Sequence, residues 1–110
     1  MLNIYPVILE FVSDVASLVP VIAHHDPDLA RQLRRSSASV VLNTAEGMSA
    51  LGRSKTAAFN VALREMRESH AALDVSLRLG YVPPLGAARE DRIQRILATL
   101  FRLSFPRQAR

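Results

Sequence analysis

The stretch LRRSSASVVLNTAEG, from residue 33 to residue 47, holds the polar side chains whose types and spacing come closest to a chemical site. Asn43 and Glu46 are three residues apart, so on a helix they would lie on one face. A carboxylate there could bind a ligand or act as a general acid or base, which needs a second carboxylate or a histidine at a supporting spacing. The sequence places neither there. We therefore favour a structural network or a subunit interface formed by Arg34, Ser39, Asn43 and Glu46.

Burial of the Glu46 carboxylate would cost free energy unless hydrogen-bond donors reach it. Arg34 or Arg35 could supply those donors, either from the same chain or from a neighbouring subunit. The alternative, in which Glu46 belongs to a ligand site or is a catalytic carboxylate, stays open on the sequence alone.

Histidines beside carboxylates in the segment HHDPD, residues 24–28, are the other arrangement that could bind a ligand, here a metal ion. Adjacent histidines point to different sides of a helix, and the sequence contains no H-x-x-x-H or E-x-x-H pair of the kind that metal-binding bundles use. It also contains no Cys, which excludes disulfides, thiolate metal sites and a cysteine nucleophile. We expect no metal centre and no cofactor.

Sequence patterns of nucleotide-binding and hydrolytic enzymes are missing as well. The 4 glycines are too sparse for a loop that cradles phosphate. No G-x-S-x-G elbow occurs, and no histidine is placed to activate a serine. We predict that the protein is not an enzyme.

Basic side chains are concentrated after residue 30, where the chain carries all 14 of its Lys and Arg residues. The net charge of +4 is modest for a nucleic-acid-binding protein, and an Arg-rich surface that only maintains solubility is the alternative explanation. Arginine is nonetheless well suited to phosphate, and an oligomer would repeat each basic surface by symmetry. The candidate nucleic-acid-binding residues are Arg35, Arg53, Lys55, Arg92, Arg95 and Arg102, with Arg107 and Arg110 beyond them.

Four helices are predicted to position these side chains. Apolar residues recur at spacings of three and four in four segments that Pro and Gly residues separate, and no segment alternates with the period of a strand. Asp26 is expected to cap the second helix, and Gly52 is expected to end it near residue 51. Ser54 is predicted to cap the third helix, which Gly80 ends.

The length of 110 residues and the short connections favour one domain, residues 1–110, that folds as an all-α, antiparallel up-and-down four-helix bundle. The first helix carries apolar residues on two faces, more than one bundle seam buries, so copies of the chain are expected to share that surface as a homo-oligomer.

A membrane-spanning role is not expected for this first segment, although residues 4–23 are largely apolar. Charged residues and prolines interrupt it, namely Pro6, Glu10, Asp14 and Pro20. No uncharged run therefore reaches the roughly 18 residues that a span needs. We predict a cytoplasmic protein with no membrane partner.

Three stretches in the middle of the chain form a recognisable pattern: LRRSSASVVLNTAEG, then SKTAAF at residues 54–59, then LGY at residues 79–81. With them the chain resembles the four-helix-bundle family of 23S rRNA intervening-sequence proteins, which is related to the accessory variability proteins of retroelements. The resemblance implies a cytosolic bundle without enzyme activity that forms homo-oligomers, often pentamers. We accordingly predict a non-enzymatic, self-assembling scaffold or adaptor, with RNA or DNA binding, or a nucleic-acid-binding protein partner, as the alternative.

Overall fold

The computed structural model describes residues 3–106, which form four α-helices and no strand. The helices are α1 (Ile4–His25), α2 (Pro27–Ser49), α3 (Gly52–Arg78) and α4 (Ala87–Ser104). Each helix packs chiefly against the next in chain order, and α4 closes the set against α1. One residue separates α1 from α2 and two separate α2 from α3, so consecutive helices run antiparallel. The predicted all-α four-helix fold is confirmed.

Asp26 forms the corner between α1 and α2. Its side-chain Oδ1 accepts a hydrogen bond from the backbone N–H of Leu29 at 3.0 Å. Its own backbone N–H donates to the carbonyl oxygen of Ile22 at 2.8 Å. Pro27 follows in the first turn of α2, where its missing N–H would have had no partner in the helix. The predicted cap is confirmed.

The corner between α2 and α3 differs from the prediction. α2 ends at Ser49, Ala50 is extended, and Gly52, with φ +58°, is the first residue of α3 instead of the end of α2. Leu51, not Ser54, occupies the position before α3, and no side chain caps this helix. The predicted Ser54 cap is therefore wrong. Residues 52–55 are exposed, so water can satisfy the first N–H groups of the helix.

Gly80 ends α3 as predicted, through a left-handed turn with φ +76°. The Gly80 N–H donates to the carbonyl oxygen of Leu77 at 3.1 Å, and the Tyr81 N–H donates to that of Ser76 at 2.8 Å. This pair of hydrogen bonds is the Schellman arrangement, in which a residue with positive φ lets the chain turn back over its helix. The turn directs the chain into the loop before α4.

The core consists of apolar side chains that all four helices and the loop before α4 contribute. Its fully buried large members are Ile8, Phe11, Val15, Ile22, Leu33, Val40, Phe59, Met66, Leu73, Ile93, Ile96 and Leu100. Their spacing of three and four along each helix is the pattern read from the sequence. Burial of these side chains removes apolar surface from water and provides the main driving force for folding.

By length and composition α1 could cross a membrane, a property that it shares with core helices of soluble proteins. One of its faces packs in the core through Ile4, Ile8, Phe11, Val15, Leu18 and Ile22. Only 28% of its most apolar 18-residue window is buried, so most of that window lies at the surface of a single chain. The absence of a membrane partner stays a prediction.

Candidate subunit interface and basic surface

The polar residues of α2 that were predicted to form a network fall into two groups. The Asn43 side-chain Nδ2 donates to the Ser39 carbonyl oxygen at 2.9 Å and to the Ser39 Oγ at 3.0 Å. Arg34 and Glu46 are exposed, and within residues 3–106 neither makes a side-chain hydrogen bond or ion pair. The chain thus joins Ser39 to Asn43 and leaves one positive and one negative side chain on the outer face of α2.

A buried contact between two serines was missed by the sequence reasoning. The Oγ atoms of Ser36 on α2 and Ser69 on α3 are 2.7 Å apart, and both residues are fully buried. The Ser36 hydroxyl can also reach the carbonyl oxygen of Leu33 at 3.2 Å, and the Ser69 hydroxyl that of Glu65 at 3.0 Å. The sequence did contain an indication of this contact: Ser69 lies between Met66 and Leu73 in the apolar stripe of α3, which predicts that its side chain is buried.

An open groove runs along the outer surface between α2 and α3, with a volume of about 480 Å³. Its lining residues are Leu42, Asn43, Glu46, Ser54, Ala57, Ala58 and Val61. Leu42 is 70% exposed, and Leu51 at the nearby corner is 86% exposed. In a single chain these large apolar side chains stay in contact with water, so the favourable free energy of burying them is not gained.

The second apolar stripe of α1 lies beside the face that packs in the core. Its members are Tyr5, Leu9, Val12, Ala16, Val19, Pro20 and Ala23, and none carries a charge. Leu9 is 44% exposed, Ala16 and Pro20 are also exposed, and the other members are half-buried. Near the α1–α2 corner, Val19 and Ala23 form one wall of a groove of about 220 Å³ that Arg34 lines on the α2 side.

Arg92 on α4, a predicted nucleic-acid contact, is bound to carboxylates of α1. Its Nε donates to Asp14 Oδ2 at 2.8 Å, and its Nη2 donates to Asp14 Oδ1 at 3.1 Å. A third bond joins Arg92 Nη1 to Glu10 Oε2 at 3.3 Å. The hydrogen bond to Asp14 raises the pKa of Arg92 above its ordinary value. The guanidinium therefore links α4 to α1, and the two carboxylates neutralise much of its positive charge.

Arg35, another predicted nucleic-acid contact, is bound to carboxylates of α3. Its Nη1 lies 3.3 Å from Glu65 Oε2, and its Nη2 is paired with Glu68. Both carboxylates lie on the side of α3 that faces α2. Since Arg35 and Glu68 are largely exposed, this ion pair contributes little to stability.

The remaining predicted nucleic-acid contacts are Arg53, Lys55, Arg95 and Arg102, all exposed and without an ion pair to any residue in the described range. Arg95 and Arg102 line an open groove of about 420 Å³ together with Asn3 and Thr99. Because α3 begins and α4 ends at the same end of an antiparallel bundle, Arg53, Lys55 and Arg102 share that end. Arg107 and Arg110 lie outside the described residues.

His24 and His25, at the end of α1, take part in side-chain packing. The His25 ring stacks on the Tyr81 ring with centroids 4.8 Å apart and an interplanar angle of 4°. His24 meets His25 edge-on at 5.2 Å. Within residues 3–106, no three His, Asp or Glu side chains converge as a metal site would require. The prediction that the protein has no metal stays a prediction.

The comparison with protein families gives a match over residues 1–101 to the family of 23S rRNA-intervening sequence proteins. This chain belongs to that family. The resemblance seen in the sequence is thereby confirmed. No match was found among curated proteins.

A solved structure shows the same fold for a protein of unknown function from Bacteroides thetaiotaomicron, of the S23 ribosomal protein family. The two chains superpose with a TM-score of 0.79, covering 92% of this chain and 97% of the other, at 21% sequence identity. At that identity the similarity establishes the fold alone.

The family motif that directly follows α3 can now be placed in the structure. Of the segment LGY at residues 79–81, Gly80 supplies the left-handed turn that ends α3, and Tyr81 supplies the ring on which His25 stacks. Both roles are structural. The turn at Gly80 and the stacking of Tyr81 on His25 hold the end of α3 against the corner between α1 and α2.

Proposed function

We propose that this protein is a non-enzymatic scaffold or adaptor that assembles with copies of itself. The observation that carries the proposal is the second apolar stripe of α1, which is uncharged along its whole length and has Leu9, Ala16 and Pro20 exposed in a single chain. Exposed and contiguous apolar surface of this kind marks interaction sites in soluble proteins.

The exposed leucines outside α1 support the same proposal. Leu42 on α2 and Leu51 at the α2–α3 corner are the most exposed large apolar side chains within the described residues. Burial of these two leucines on assembly would add to the free energy gained by burying the second apolar stripe of α1. The proposed partner is a second copy because the family resemblance implies homo-oligomers.

The polar groups support a role without catalysis. The buried serines Ser36 and Ser69 satisfy each other, and Asn43 bonds to Ser39 on its own helix. Glu46, the one carboxylate in the conspicuous polar stretch, is exposed, and no acid, base or nucleophile among the described residues lies within hydrogen-bond reach of it. General acid or base chemistry requires such a partner or a site that excludes water.

Sedimentation velocity of the purified chain at micromolar concentration tests the proposal, and we expect a species larger than a monomer. Leu9→Glu places a charge in the stripe and should weaken assembly by about tenfold or more, which corresponds to roughly 1.4 kcal/mol. Gln94→Glu adds the same charge at an exposed site on α4 and serves as the matched control. A monomeric wild-type protein would refute the proposal. The family resemblance suggests five subunits, a number that the same experiment measures.

A second candidate function is nucleic-acid binding, favoured by the basic residues at one end of the bundle. Arg53, Lys55 and Arg102 share that end, and Arg95 lies further along α4 on the face of Arg102. The name of the family refers to sequences within 23S rRNA, so RNA is the first ligand to test. Symmetric assembly would multiply the positive charge that these residues present.

Binding of the assembled protein to a short RNA duplex and a short DNA duplex, measured over a range of salt concentrations, tests this candidate. Replacement of the four basic residues by Gln should lower the slope of log Kd against log salt by roughly 0.9 for each phosphate that the variant no longer neutralises. The matched control replaces Arg31, Arg64, Arg67 and Arg78 by Gln, all of them exposed. Equal effects of the two sets would show nonspecific attraction, and no binding at low salt would rule the candidate out.

A further inference from the structure

The four sides of the bundle differ in character, and each of the two that meet at α2 presents apolar surface. The side between α1 and α2 presents the second apolar stripe of α1. The side between α2 and α3 presents the groove of about 480 Å³ that Ala57 and Val61 line, which we call the α2–α3 groove. On the side between α4 and α1, by contrast, Arg92 is bound to Asp14. The chain therefore carries two different apolar surfaces on adjacent sides.

We infer that copies of this chain close a ring in which the second apolar stripe of α1 of each copy packs in the α2–α3 groove of the next. The inference rests on the self-assembly proposed above and names the two surfaces that it uses. A contact between different surfaces repeats in the same sense around an axis, and it closes a ring when the two surfaces converge toward that axis. Here they converge at α2, which therefore lies nearest the axis, while α4 faces outward.

Adjacent sides of a four-helix bundle converge at an angle that suits a small ring. An angle of about 90° closes a ring of four copies, and an angle of about 72° closes a ring of five. Opposite sides of the bundle do not converge, so contacts through them would give an open filament instead. The pairing of adjacent sides therefore agrees with the five subunits that the family resemblance implies.

The register of the ring brings apolar side chains together. All copies run in the same direction when the ring axis is parallel to the helices, so residues at the same level of the bundle meet. Leu9 of α1 is level with position 43 of α2, counted from the corner at Asp26, and Ala57 of α3 is level with position 44, counted from the corner at residues 50–51. The two levels differ by about 1.5 Å. Leu9 and Ala57 are both exposed in a single chain, and Leu42, which is 70% exposed, lines the groove at the same level.

Charges on the two surfaces are complementary in the same register. Arg35, Glu65 and Glu68 form a cluster beside the α2–α3 groove with one positive and two negative charges, so one negative charge is left uncompensated in a single chain. Arg34 lies on the other flank of α2, beside α1, and makes no ion pair within residues 3–106. Glu68 is level with position 33 of α2, one residue from Arg34. In the ring, Arg34 of one copy therefore meets the cluster of the next copy and neutralises it.

Glu46 gains a partner at the other end of the same contact. Its side chain is exposed, lines the α2–α3 groove and makes no hydrogen bond or ion pair within residues 3–106. Tyr5, in the second apolar stripe of α1, is level with position 47 of α2, next to Glu46. The phenolic hydroxyl of Tyr5 in one copy can therefore donate to the Glu46 carboxylate of the next. One polar contact at each end of the apolar surface fixes the register of the two copies.

Cross-linking of two single-cysteine variants tests the pairing directly, because the chain has no native Cys. Leu9→Cys and Ala57→Cys, co-expressed and mildly oxidised, should give a covalent dimer that contains one chain of each kind. Neither variant alone should cross-link, since each position meets the other and not its own equivalent. Val75→Cys in place of Ala57→Cys is the matched control, because Val75 is exposed on the same face of α3, 18 residues further along. Equal cross-linking of the two mixtures, or cross-linking of a single variant alone, would overturn the pairing.

Charge reversal, followed by sedimentation at low salt, is an independent test. Arg34→Glu brings a negative charge to the uncompensated cluster, so it should raise the dissociation constant of the assembly about tenfold or more. Glu68→Arg added to Arg34→Glu restores opposite charges across the contact and should recover most of that loss. Arg67→Glu, a reversal at an exposed position of α3 outside the contact, is the matched control and should have little effect. Circular dichroism of each variant verifies that the helices remain folded.

The two experiments separate a failure of this contact from a failure of self-assembly. If the wild-type chain assembles but Arg34→Glu and Arg67→Glu have equal effects on the dissociation constant, the contact between the stripe and the groove is wrong and the self-assembly stands. If the wild-type chain sediments as a monomer, both the contact and the self-assembly are refuted.

Discussion

Gly47 of α2 lies directly beneath the ring of Phe59 of α3. A Cβ atom added at Gly47 would be 2.8 Å from the Cε1 and Cζ atoms of that ring, closer than real Cβ contacts come. Phe59 is almost fully buried, so its ring has little room to move away. Gly47 and Phe59 therefore form a close contact between α2 and α3. Gly47 is the last residue of the polar stretch at residues 33–47.

Gly47→Ala should destabilise the protein even though it replaces glycine within a helix. Alanine normally gains about 1 kcal/mol over glycine at such a position, but overpacking of a filled core costs about 1–3 kcal/mol. We expect the free energy of unfolding to fall, by about 1 kcal/mol, in urea denaturation. Phe59→Leu added to Gly47→Ala removes the clash and should recover part of the loss. An increase in stability for Gly47→Ala alone would show that the ring can shift.

The Ser36–Ser69 contact should give a measurable coupling energy. Replacement of one serine by Ala leaves the other hydroxyl buried with only its carbonyl partner, at a cost of about 1 kcal/mol. Replacement of both removes the unsatisfied group, so the double variant should cost less than the sum of the two single changes. A double-mutant cycle in urea measures the difference, which we expect to be about 0.5–1 kcal/mol. Additive costs would mean that the two hydroxyls do not bond to each other.

Arg92 is expected to matter for stability and not for nucleic-acid binding. Arg92→Lys keeps the positive charge but loses the planar pair of hydrogen bonds to Asp14, so Tm should fall. Arg95→Lys, at an exposed position on the same helix, is the control and should leave Tm nearly unchanged. If Arg92→Gln lowers the salt dependence of any RNA binding and Arg95→Gln does not, this assignment is wrong.

The pH dependence of the Arg92 contribution follows from the direction of its pKa shift. The hydrogen bond to Asp14 raises the pKa of Arg92 above its ordinary value, so the folded chain binds this proton more tightly than the unfolded chain. The stabilisation that comes from protonated Arg92 is then complete below the ordinary pKa of arginine and is lost only as the pH rises through the higher folded pKa. Between about pH 6 and pH 9 we expect the difference in Tm between wild type and Arg92→Lys to stay constant. Thermal unfolding in buffers of equal ionic strength measures it.

Asp26→Ala should destabilise the corner between α1 and α2. The Asp26 carboxylate accepts a hydrogen bond from the Leu29 N–H, and loss of such a cap typically costs about 1 kcal/mol. Asp28→Ala removes a carboxylate from the same first turn without removing a cap, and it should cost less. Equal losses of unfolding free energy for the two variants would mean that charge near the helix start, and not the cap, stabilises this corner.

Features that depend on neighbours in the chain were predictable from the sequence. The four helices follow from the spacing of apolar residues, the start of α2 from Asp26 and Pro27, and the end of α3 from Gly80. The corner at Gly52 was predicted wrongly because a glycine with positive φ can follow one helix or begin the next. Only the direction that the chain takes between α2 and α3 distinguishes the two cases.

The sequence by itself determined which faces of the helices are apolar, because that periodicity is a property of each segment alone. Tertiary structure decided which polar side chains meet: Arg92 with Asp14, Arg35 with Glu65, and Ser36 with Ser69, pairs that lie 30 to 78 residues apart in the chain. Partners so distant are brought together by the packing of whole helices, whose azimuth and register no local pattern specifies. For the same reason, only the folded chain distinguishes Arg35 and Arg92, which are bound within it, from Arg34 and Glu46, which make no ion pair within residues 3–106.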